Sequence, residues 1–246
     1  VINGQKIWTS NGHIADRILG YRRSIMLGGI LMAVGEFMLM IPTEKAFLAG
    51  LAVSGGAQAQ PAPQAPSNSV KLAWRTLCKT GLKVTPVSFG CMTTSDMSVI
   101  EHAADIGIVL FDTARSYQNG NNERLVGAAL KGRRKQVIIS SKSPGKTRQE
   151  ALADLDVSLR ELGTDYLDIW YLHNKSTPEE VTDDLLEAQQ IAKRAGKIRF
   201  AGVSTHLNMA SMLDHVVKRG QTDVVLTTYN FTMKPEITAA IGRARE

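Results

Sequence analysis

Four ionisable side chains stand out because similar sequence surrounds them. Asp112 and His173 each end a run rich in apolar residues, Lys142 ends the run Val137-Ile138-Ile139-Ser140-Ser141, and Tyr117 comes five positions after Asp112. Runs of this kind, bounded by turn residues, are typical of buried strands in a parallel sheet. In a (β/α) barrel the carboxyl ends of all such strands open on one face, where the chemistry is done. The sequence therefore predicts that an acid, a phenol, an amine and an imidazole meet at one candidate active face.

The elements that must position these side chains form a repeat of strand, loop, amphipathic helix and glycine that begins near Ser88. The predicted strands cover 87–91, a run ending at 112, a run ending near 141, 166–172, 198–203 and 224–229. The predicted helices cover 95–106, 122–130, two segments that open at the capping boxes Thr147-x-x-Glu150 and Thr177-x-x-Glu180, and a last segment after Pro235. Pro178 would occupy the first helical position after Thr177, where proline is favoured.

This alternation predicts an α/β fold of the (β/α)8 TIM-barrel type. About six βα units fit into the sequence, whereas a closed barrel has eight strands. We therefore expect an incomplete barrel that is preceded by an apolar helix and a Pro-rich linker. An open sheet has two unpaired edges, and such edges favour pairing with another chain.

The composition divides the chain into three parts. Residues 1–59 form a composite segment with an apolar, signal-like stretch, residues 60–70 form a Pro-rich linker, and residues 71–246 carry the repeat. A linker of this composition is extended and has no core of its own. We interpret the first part as unrelated fragments joined to the repeat.

The apolar run 24–41 in the first part has two interpretations. Its length is near the lower limit for crossing a bilayer, and Arg22 and Arg23 would hold its N-terminal end on the cytoplasmic side. A membrane anchor and a fortuitous apolar helix both stay open. Residues 47–59 add the apolar core and small-residue cleavage site of an export signal. The chain would be exported or membrane-anchored if these segments function, and cytoplasmic otherwise.

Bulk composition argues against several classes of protein. Hydrophobic residues make up 43% and charged residues 21% of the chain, which is close to the globular average and sufficient for a core. The net charge of +6 is modest, and the basic cluster 131–135 has no interleaved aromatic residues, so no nucleic-acid partner is expected. Cys78 and Cys91 lack the spacing of a disulfide framework or a structural zinc site, so no metal is expected either.

Four stretches of the repeat carry a resemblance to a known family. They are Gly81-Leu82-Lys83-Val84, the element Asp112-Thr113-Ala114-x-x-Tyr117, residues 158–168 and residues 196–204. Over about residues 71–246 the chain resembles an aldo-keto reductase, a family of nicotinamide-dependent oxidoreductases built on a TIM barrel.

Two shorter likenesses lie upstream of this part. Residues 3–16 resemble a flavin-contacting segment of acyl-CoA dehydrogenases, and residues 16–50 look like one helix of a proton-coupled peptide transporter. We expect neither a flavin site nor transport activity from these segments. The first covers too little of its fold to form a flavin site, and transporter sites form between the helices of paired repeats.

The aldo-keto reductase resemblance implies that Asp112, Tyr117, Lys142 and His173 are a catalytic tetrad that reduces a carbonyl group. Tyr117 would give a proton to the carbonyl oxygen, and the ammonium of Lys142 would stabilise the phenolate left behind. Asp112 would hold Lys142 in place, while His173 would orient the carbonyl and stabilise the developing oxyanion. The hydride would come from NADPH, with NADH as the other candidate.

The resemblance also implies contacts to the cofactor from Met92, Thr93, Ser204, Thr205 and Tyr229. The family usually has Ser-Asn where this chain has Ser204-Thr205, so a hydroxyl replaces an amide at the second position. The family's loops after strands seven and eight hold the pyrophosphate and the adenosine 2′-phosphate. The sequence has no counterpart of those strands, so we expect that part of the cofactor site to be missing.

Three interpretations of the function stay open. The chain is a reductase of a small-molecule aldehyde or ketone, a non-catalytic module that binds a nicotinamide cofactor, or an inactive product of fusion or truncation. Each of the four residues also has an ordinary alternative when taken alone: a loop cap, a rim aromatic, a surface charge or a buried histidine. The sequence does not identify the substrate or the oligomeric state.

Overall fold

The computed structural model describes residues 73–245. The segments 1–59 and 60–70, with their predicted apolar helix, export signal, linker and upstream resemblances, lie outside the described residues. Within the described part, none of the helices combines the length and the apolar character needed to cross a lipid bilayer. The assignment of 71–246 to a single domain stays a prediction.

The described residues form short strands that alternate with helices after an initial hairpin. The strands are β1 (Arg75–Thr76), β2 (Lys83–Val84), β3 (Phe89–Gly90), β4 (Leu110–Asp112), β5 (Ile138–Ser143), β6 (Leu167–Leu172), β7 (Ile198–Thr205) and β8 (Val224–Thr227). The α-helices are α1 (Met97–Asp105), α2 (Asn121–Leu130), α3 (Arg148–Leu162), α4 (Asp183–Arg194), α5 (Met209–Arg219) and α6 (Pro235–Arg243). One helix therefore follows each strand from β3 onward.

Strands β3 to β8 form one parallel sheet in sequential order. Each helix returns the chain to the start of the next strand, which is the connection that parallel pairing requires. The sheet is curled into about half of a barrel. The predicted α/β barrel type, with six βα units, is confirmed for the described residues.

Alternation along the strands places the predicted site residues on the inner face of the curled sheet. Leu110 and Ile138 belong to a buried apolar cluster on this face. Asp112 and Lys142 lie two and four positions after them, and residues an even number of positions apart share a face of a strand. His173 follows the end of β6 in the same phase, four positions after the inward-facing Ile169.

The β1–β2 hairpin fills the inner face near the strand starts. Its Leu77, Leu82 and Val84 are buried in the same cluster as Leu110 and Ile138, the first residues of β4 and β5. The hairpin strands pair antiparallel over two residues each. We did not predict them from the sequence, because strands this short show no alternation of apolar and polar residues.

A larger apolar core lies between the outer face of the sheet and the helices. Phe111, Ile139 and Trp170 from the strands share one buried cluster with Val126 of α2 and Leu155 of α3. Two-sided burial explains why the strands read as nearly continuous apolar runs in the sequence. The polar residues of the site therefore stand out only at the strand ends.

The ends of α3 are confirmed as predicted. Glu150 N donates to Thr147 Oγ1 at 3.2 Å, and Thr147 N donates to the Glu150 carboxylate, so the capping box is complete. Gly163 follows the helix with φ of 63°, a left-handed conformation that glycine adopts without strain.

The second predicted capping box does not open the helix that follows it. Residues 177–180 form a 3-10 turn, and α4 begins later, at Asp183. Thr182 supplies a separate cap, because its Oγ1 accepts a backbone N–H of α4 at 3.3 Å. Val181, between the two caps, has a non-helical backbone and is buried in the outer core. The chain leaves helical geometry here so that this side chain can pack inward.

The two outermost strands of the described sheet are shorter than predicted. β3 covers Phe89–Gly90 instead of 87–91, and β8 ends at Thr227 instead of Tyr229. Among the described residues, each of these strands pairs on one side only. Fewer hydrogen bonds therefore hold their ends in extended conformation, whereas the inner strand β7 runs two residues further than predicted.

Candidate active site

Asp112 and Lys142 form a buried ion pair at the ends of β4 and β5. Lys142 Nζ donates to Asp112 Oδ2 at 2.5 Å and to the backbone oxygen of Thr113 at 2.7 Å. Ser140 Oγ donates to the other carboxylate oxygen of Asp112 at 2.6 Å. Lys142 is only 1% exposed, and a buried ammonium needs such partners because it has lost the hydration it had in water.

The third contact of the ammonium is Tyr117. Lys142 Nζ lies 3.3 Å from the Tyr117 hydroxyl oxygen and 4.8 Å from the centre of its ring. An ammonium has three N–H groups, and Asp112, Thr113 and Tyr117 account for all of them. The loop after β4 turns back through a hydrogen bond from Tyr117 N to Ala114 O at 3.1 Å. This turn brings the phenol above the lysine.

His173 lies against the other side of Tyr117. The two rings meet edge to face, with centroids 5.7 Å apart and planes at 77°. His173 Nδ1 is 3.3 Å from Ser116 Oγ, and His173 N donates to Ser143 O at 2.9 Å. The four residues predicted from the sequence therefore lie together at the ends of three successive strands.

The surroundings of His173 keep its ring uncharged at neutral pH. Burial lowers the pKa of His173 to about 4, and the positive charges of Lys142, His206 and Lys175 act in the same direction. A neutral imidazole still carries one N–H. It can therefore donate a hydrogen bond to a substrate oxygen without adding another positive charge beside Lys142.

The arrangement can carry out a proton transfer. A phenol in contact with a buried ammonium can give its proton to a nearby oxygen, because the positive charge favours the phenolate that results. Asp112 pairs with the ammonium and holds it in place, and the imidazole offers a second hydrogen-bond donor. These are the parts needed to protonate a carbonyl oxygen as its carbon accepts a hydride.

Met92 and Thr93, the first two predicted cofactor contacts, lie in the loop after β3. Both are exposed, with the Met92 side chain 53% accessible. Gln118, in the loop that carries Tyr117, donates to Met92 O at 3.0 Å and to Thr94 O at 2.8 Å. The structure therefore places these two residues beside the tyrosine loop.

Ser204 and Thr205 end β7, and hydrogen bonds within the chain use both hydroxyls. Ser204 Oγ accepts from Asn174 N at 2.7 Å, just after His173. Thr205 Oγ1 donates to Leu207 O at 2.8 Å. Ser204 faces inward, in the same phase along β7 as Phe200 of the inner cluster. It is the nearer of the two to the candidate site.

Tyr229 lies after β8 and faces the helices. Its hydroxyl is 2.8 Å from Thr238 Oγ1 of α6, and its ring packs on the apolar cluster that Leu213, Ile237 and Ile241 form between α5 and α6. The geometry does not bring Tyr229 to the tetrad.

Two residues that the sequence analysis missed support the tyrosine loop. Asn122 and Glu123, in the first turn of α2, are fully buried and hydrogen-bonded to segments of the site. A signal for them exists in the sequence. Asn122 stands four positions before Val126, and Glu123 stands seven positions before Leu130. Spacings of four and seven place two residues on the same face of a helix. Polar residues in phase with an apolar stripe are candidates for buried, hydrogen-bonded roles.

Comparison with known proteins agrees with this geometry. A model of the aldo/keto reductase family matches residues 92–239. The chain is 28% identical over 179 residues to the uncharacterized oxidoreductase YqkF of Bacillus subtilis, covering 66% of this chain and 58% of that protein. It is 31% identical over 145 residues to the aldo-keto reductase yakc of Schizosaccharomyces pombe, which is named with NADP(+), covering 49% of this chain and 42% of the relative.

A solved structure gives the same result. An aldo-keto reductase from Bacillus halodurans in its holo form superposes with a TM-score of 0.58 at 30% sequence identity, over 64% of this chain and 58% of that one. The chain spans about half the length of the curated relatives it matches. The family model covers more than half of the chain, and this match shows that the chain belongs to the aldo/keto reductase family.

Proposed function

We propose that this chain is an oxidoreductase that uses NADPH to reduce an aldehyde or ketone to an alcohol. The observation that supports this most directly is the buried Lys142 ammonium, which contacts both Asp112 and the Tyr117 hydroxyl. A proton donor backed by a positive charge is the part of carbonyl reduction that the protein itself must supply.

In this proposal Tyr117 is the proton donor. The carbonyl oxygen of the substrate accepts a hydrogen bond from the phenol, and the proton moves to it as negative charge develops there. Lys142 stabilises the resulting phenolate from 3.3 Å. Asp112, together with Ser140, keeps the lysine side chain from swinging away.

His173 has the second role at the carbonyl oxygen. Because its pKa is lowered to about 4, the ring is neutral at working pH and offers an N–H without taking up a proton itself. It orients the carbonyl and stabilises the developing oxyanion. Its edge-to-face contact with the Tyr117 ring keeps the two donors on the same side of the substrate.

The proposed cofactor contacts lie in the loop after β3, at the end of β7 and after β8. Reduced nicotinamide supplies the hydride when bound. Met92 and Thr93 suit it chemically, since they offer exposed apolar surface and a hydroxyl beside the tyrosine loop. Ser204 and Thr205 would border its amide from β7, and Tyr229, whose hydroxyl contacts Thr238 Oγ1, would contact it from beyond the end of β8. The name of the Schizosaccharomyces pombe relative supports NADPH as the cofactor.

The test is a fluorescence titration of the full chain with NADPH, followed by NADPH oxidation with a panel of aldehydes. We expect saturable binding, and turnover that Tyr117→Phe reduces by about a hundredfold or more without weakening binding, because the proton donor is lost. Tyr166→Phe is the matched control, since that ring packs under Arg134 at the start of β6. A folded chain that fails to bind NADPH would refute the proposal.

The non-catalytic binding module is the less favoured alternative. A module that only binds a cofactor has no need of a buried ammonium held against a phenol, whereas a reductase requires it. The titration separates the two, because a module would bind NADPH without oxidising it. An inactive product of truncation would do neither.

A separate proposal concerns the part of the chain outside the described residues. We propose that residues 24–41 contact a membrane, on the strength of their apolar sequence and the arginines before them. Flotation of the full chain with phospholipid vesicles tests this, compared with a variant in which residues 24–41 are deleted. Equal flotation of the two would refute it.

A further inference from the structure

The first turn of α2 contains two polar side chains with no access to solvent. Asn122 and Glu123 are each 0% exposed. A buried amide or carboxylate destabilises the fold unless other groups replace its lost hydration. Both residues have such partners, which lie at Cys91 after β3 and in the segments of Asp112, Tyr117 and Lys142.

Glu123 connects the segments of Tyr117 and Lys142. Its carboxylate accepts from Ser141 Oγ at 2.6 Å and pairs with the guanidinium of Arg115. Ser141 directly precedes Lys142, and Arg115 lies two residues before Tyr117. One buried carboxylate therefore contacts both the loop that carries Tyr117 and the strand that carries Lys142. These are the two segments whose side chains must meet.

Asn122 connects β3 with the end of β4. Its Oδ1 accepts from Thr113 Oγ1 at 2.6 Å, and its Nδ2 donates to Cys91 O at 2.8 Å. Thr113 directly follows Asp112, and its backbone oxygen is one of the three acceptors around Lys142. The amide therefore fixes a peptide that contacts the catalytic ammonium.

The loop that these contacts close has an unfavourable backbone. Gln118 and Asn119 have φ of 50° and 53°, in the left-handed region that residues with a side chain seldom adopt. Such conformations persist only where surrounding contacts enforce them. Gly120, at φ of 88°, leaves room for the Arg115 guanidinium, which occupies the place of a Cβ. Arg115 precedes the two strained residues in the sequence and Glu123 follows them, so their ion pair joins the two ends of the strained segment.

We propose that Asn122 and Glu123 are positioning residues that hold the loop of Tyr117 against Lys142. Neither touches the substrate, and both act by setting where the phenol lies relative to the ammonium. This inference rests on the proposed function for its catalytic consequence. Its structural core, the dependence of the loop on the buried carboxylate, can be tested without turnover.

The main test is Glu123→Gln, measured by hydrogen exchange of the full, ligand-free chain. The substitution keeps the size of the side chain and an acceptor for Ser141, and it removes the charge that pairs with Arg115. We expect exchange of residues 113–120 to rise by about tenfold or more, since a hydrogen bond to a charged group is lost. We also expect kcat to fall by about tenfold to a hundredfold with the dissociation constant for NADPH unchanged.

Asp168→Asn is the matched control. Asp168 is 1% exposed, and its carboxylate accepts from Arg199 at 2.6 Å and from Ile139 N at 3.0 Å and pairs with Arg134. It lies near the start of β6, away from the tetrad at the strand ends. Its substitution removes a buried charge of the same kind, so a general loss of stability should appear in both variants.

The two variants separate positioning from stability. Faster exchange of 113–120 in Glu123→Gln but not in Asp168→Asn supports the proposal. Equal exchange of this segment in both variants overturns it. Should Glu123→Gln fail to fold, Ser141→Ala removes only one hydrogen bond of the same carboxylate and decides by the same criterion. If the unaltered chain shows no turnover, the proposed function fails while the exchange comparison still decides this inference.

Discussion

At the scale of residues, the site is built around one buried positive charge. Lys142 could not be held in the sheet interior by packing alone, because an unpaired ammonium there would be strongly unfavourable. Asp112 supplies the counter-charge, and the Thr113 backbone and Tyr117 hydroxyl complete the hydrogen bonding. The same contacts that stabilise the charge therefore bring Tyr117, the proposed proton donor, to it. Structure and proposed chemistry depend on the same three hydrogen bonds.

The lowered pKa of His173 predicts how the stability of the fold depends on pH. Its pKa is about 4 in the folded chain and about 6.5 in an unfolded one. Between these values the unfolded chain binds a proton that the folded chain does not, so stability falls as pH drops from about 6.5 to about 4. Allowing for solvent screening of this half-buried ring, we expect a loss of about 1–2 kcal/mol across that range.

The measurement is urea unfolding at pH 7 and pH 4 for the unaltered chain and for His173→Gln. Glutamine keeps a hydrogen-bonding group but does not titrate, and the carboxylates common to both proteins cancel in the difference. We expect the variant to lose less stability on acidification. An identical loss in both proteins would show that His173 is protonated equally readily in the folded and unfolded states.

At the scale of elements, the sequence predicted the regular parts because each had two independent signals. The helix α3 has an apolar stripe, a capping box at Thr147 and a terminating glycine at 163, and all three agree in the structure. The proximity of Asp112, Tyr117, Lys142 and His173 was predicted in a similar way, from polar residues at the ends of successive predicted strands. The α4 start was misplaced because two caps compete, and burial of Val181, a tertiary effect, decides between them. The helix pattern marks Asn122 and Glu123 as candidates for burial, but it does not identify their partners, which lie on β5 and in the loops after β3 and β4.

The contact between α2 and α3 gives a prediction at this scale. A Cβ added to Gly127 would lie 2.6 Å from Leu162 O, so the backbones approach too closely for a side chain. We expect Gly127→Ala to destabilise the fold by about 1–3 kcal/mol through overpacking, despite the better helix propensity of alanine. Chemical denaturation measures the change. Gly132→Ala is the control, since a Cβ there meets open space, and equal effects at the two positions would argue against close approach of the helices.

At the scale of the whole molecule, the curled sheet separates two apolar clusters that differ in size and in their distance from the candidate site. The outer core joins the strands to the helices and is large and apolar. The inner face carries a smaller apolar cluster, in which Leu110, Ile138 and Ile169 meet the β1–β2 hairpin. Beyond them, toward the strand ends, the same face carries Asp112, Lys142 and His173. The hairpin therefore covers the inner face near the strand starts, and the proposed catalytic residues lie beyond it toward the strand ends.

This division predicts that the hairpin stabilises the whole sheet rather than itself alone. Leu82 is buried in the inner cluster, so Leu82→Ala should leave a cavity and lower the free energy of unfolding by about 2–5 kcal/mol. Leu207→Ala is the matched control, because Leu207 is 60% exposed in a loop and its truncation should change stability by less than about 0.5 kcal/mol. Hydrogen exchange of β4 to β6 locates the effect. Faster exchange there in Leu82→Ala is expected, whereas faster exchange limited to residues 75–84 would mean that the hairpin is only appended to the sheet.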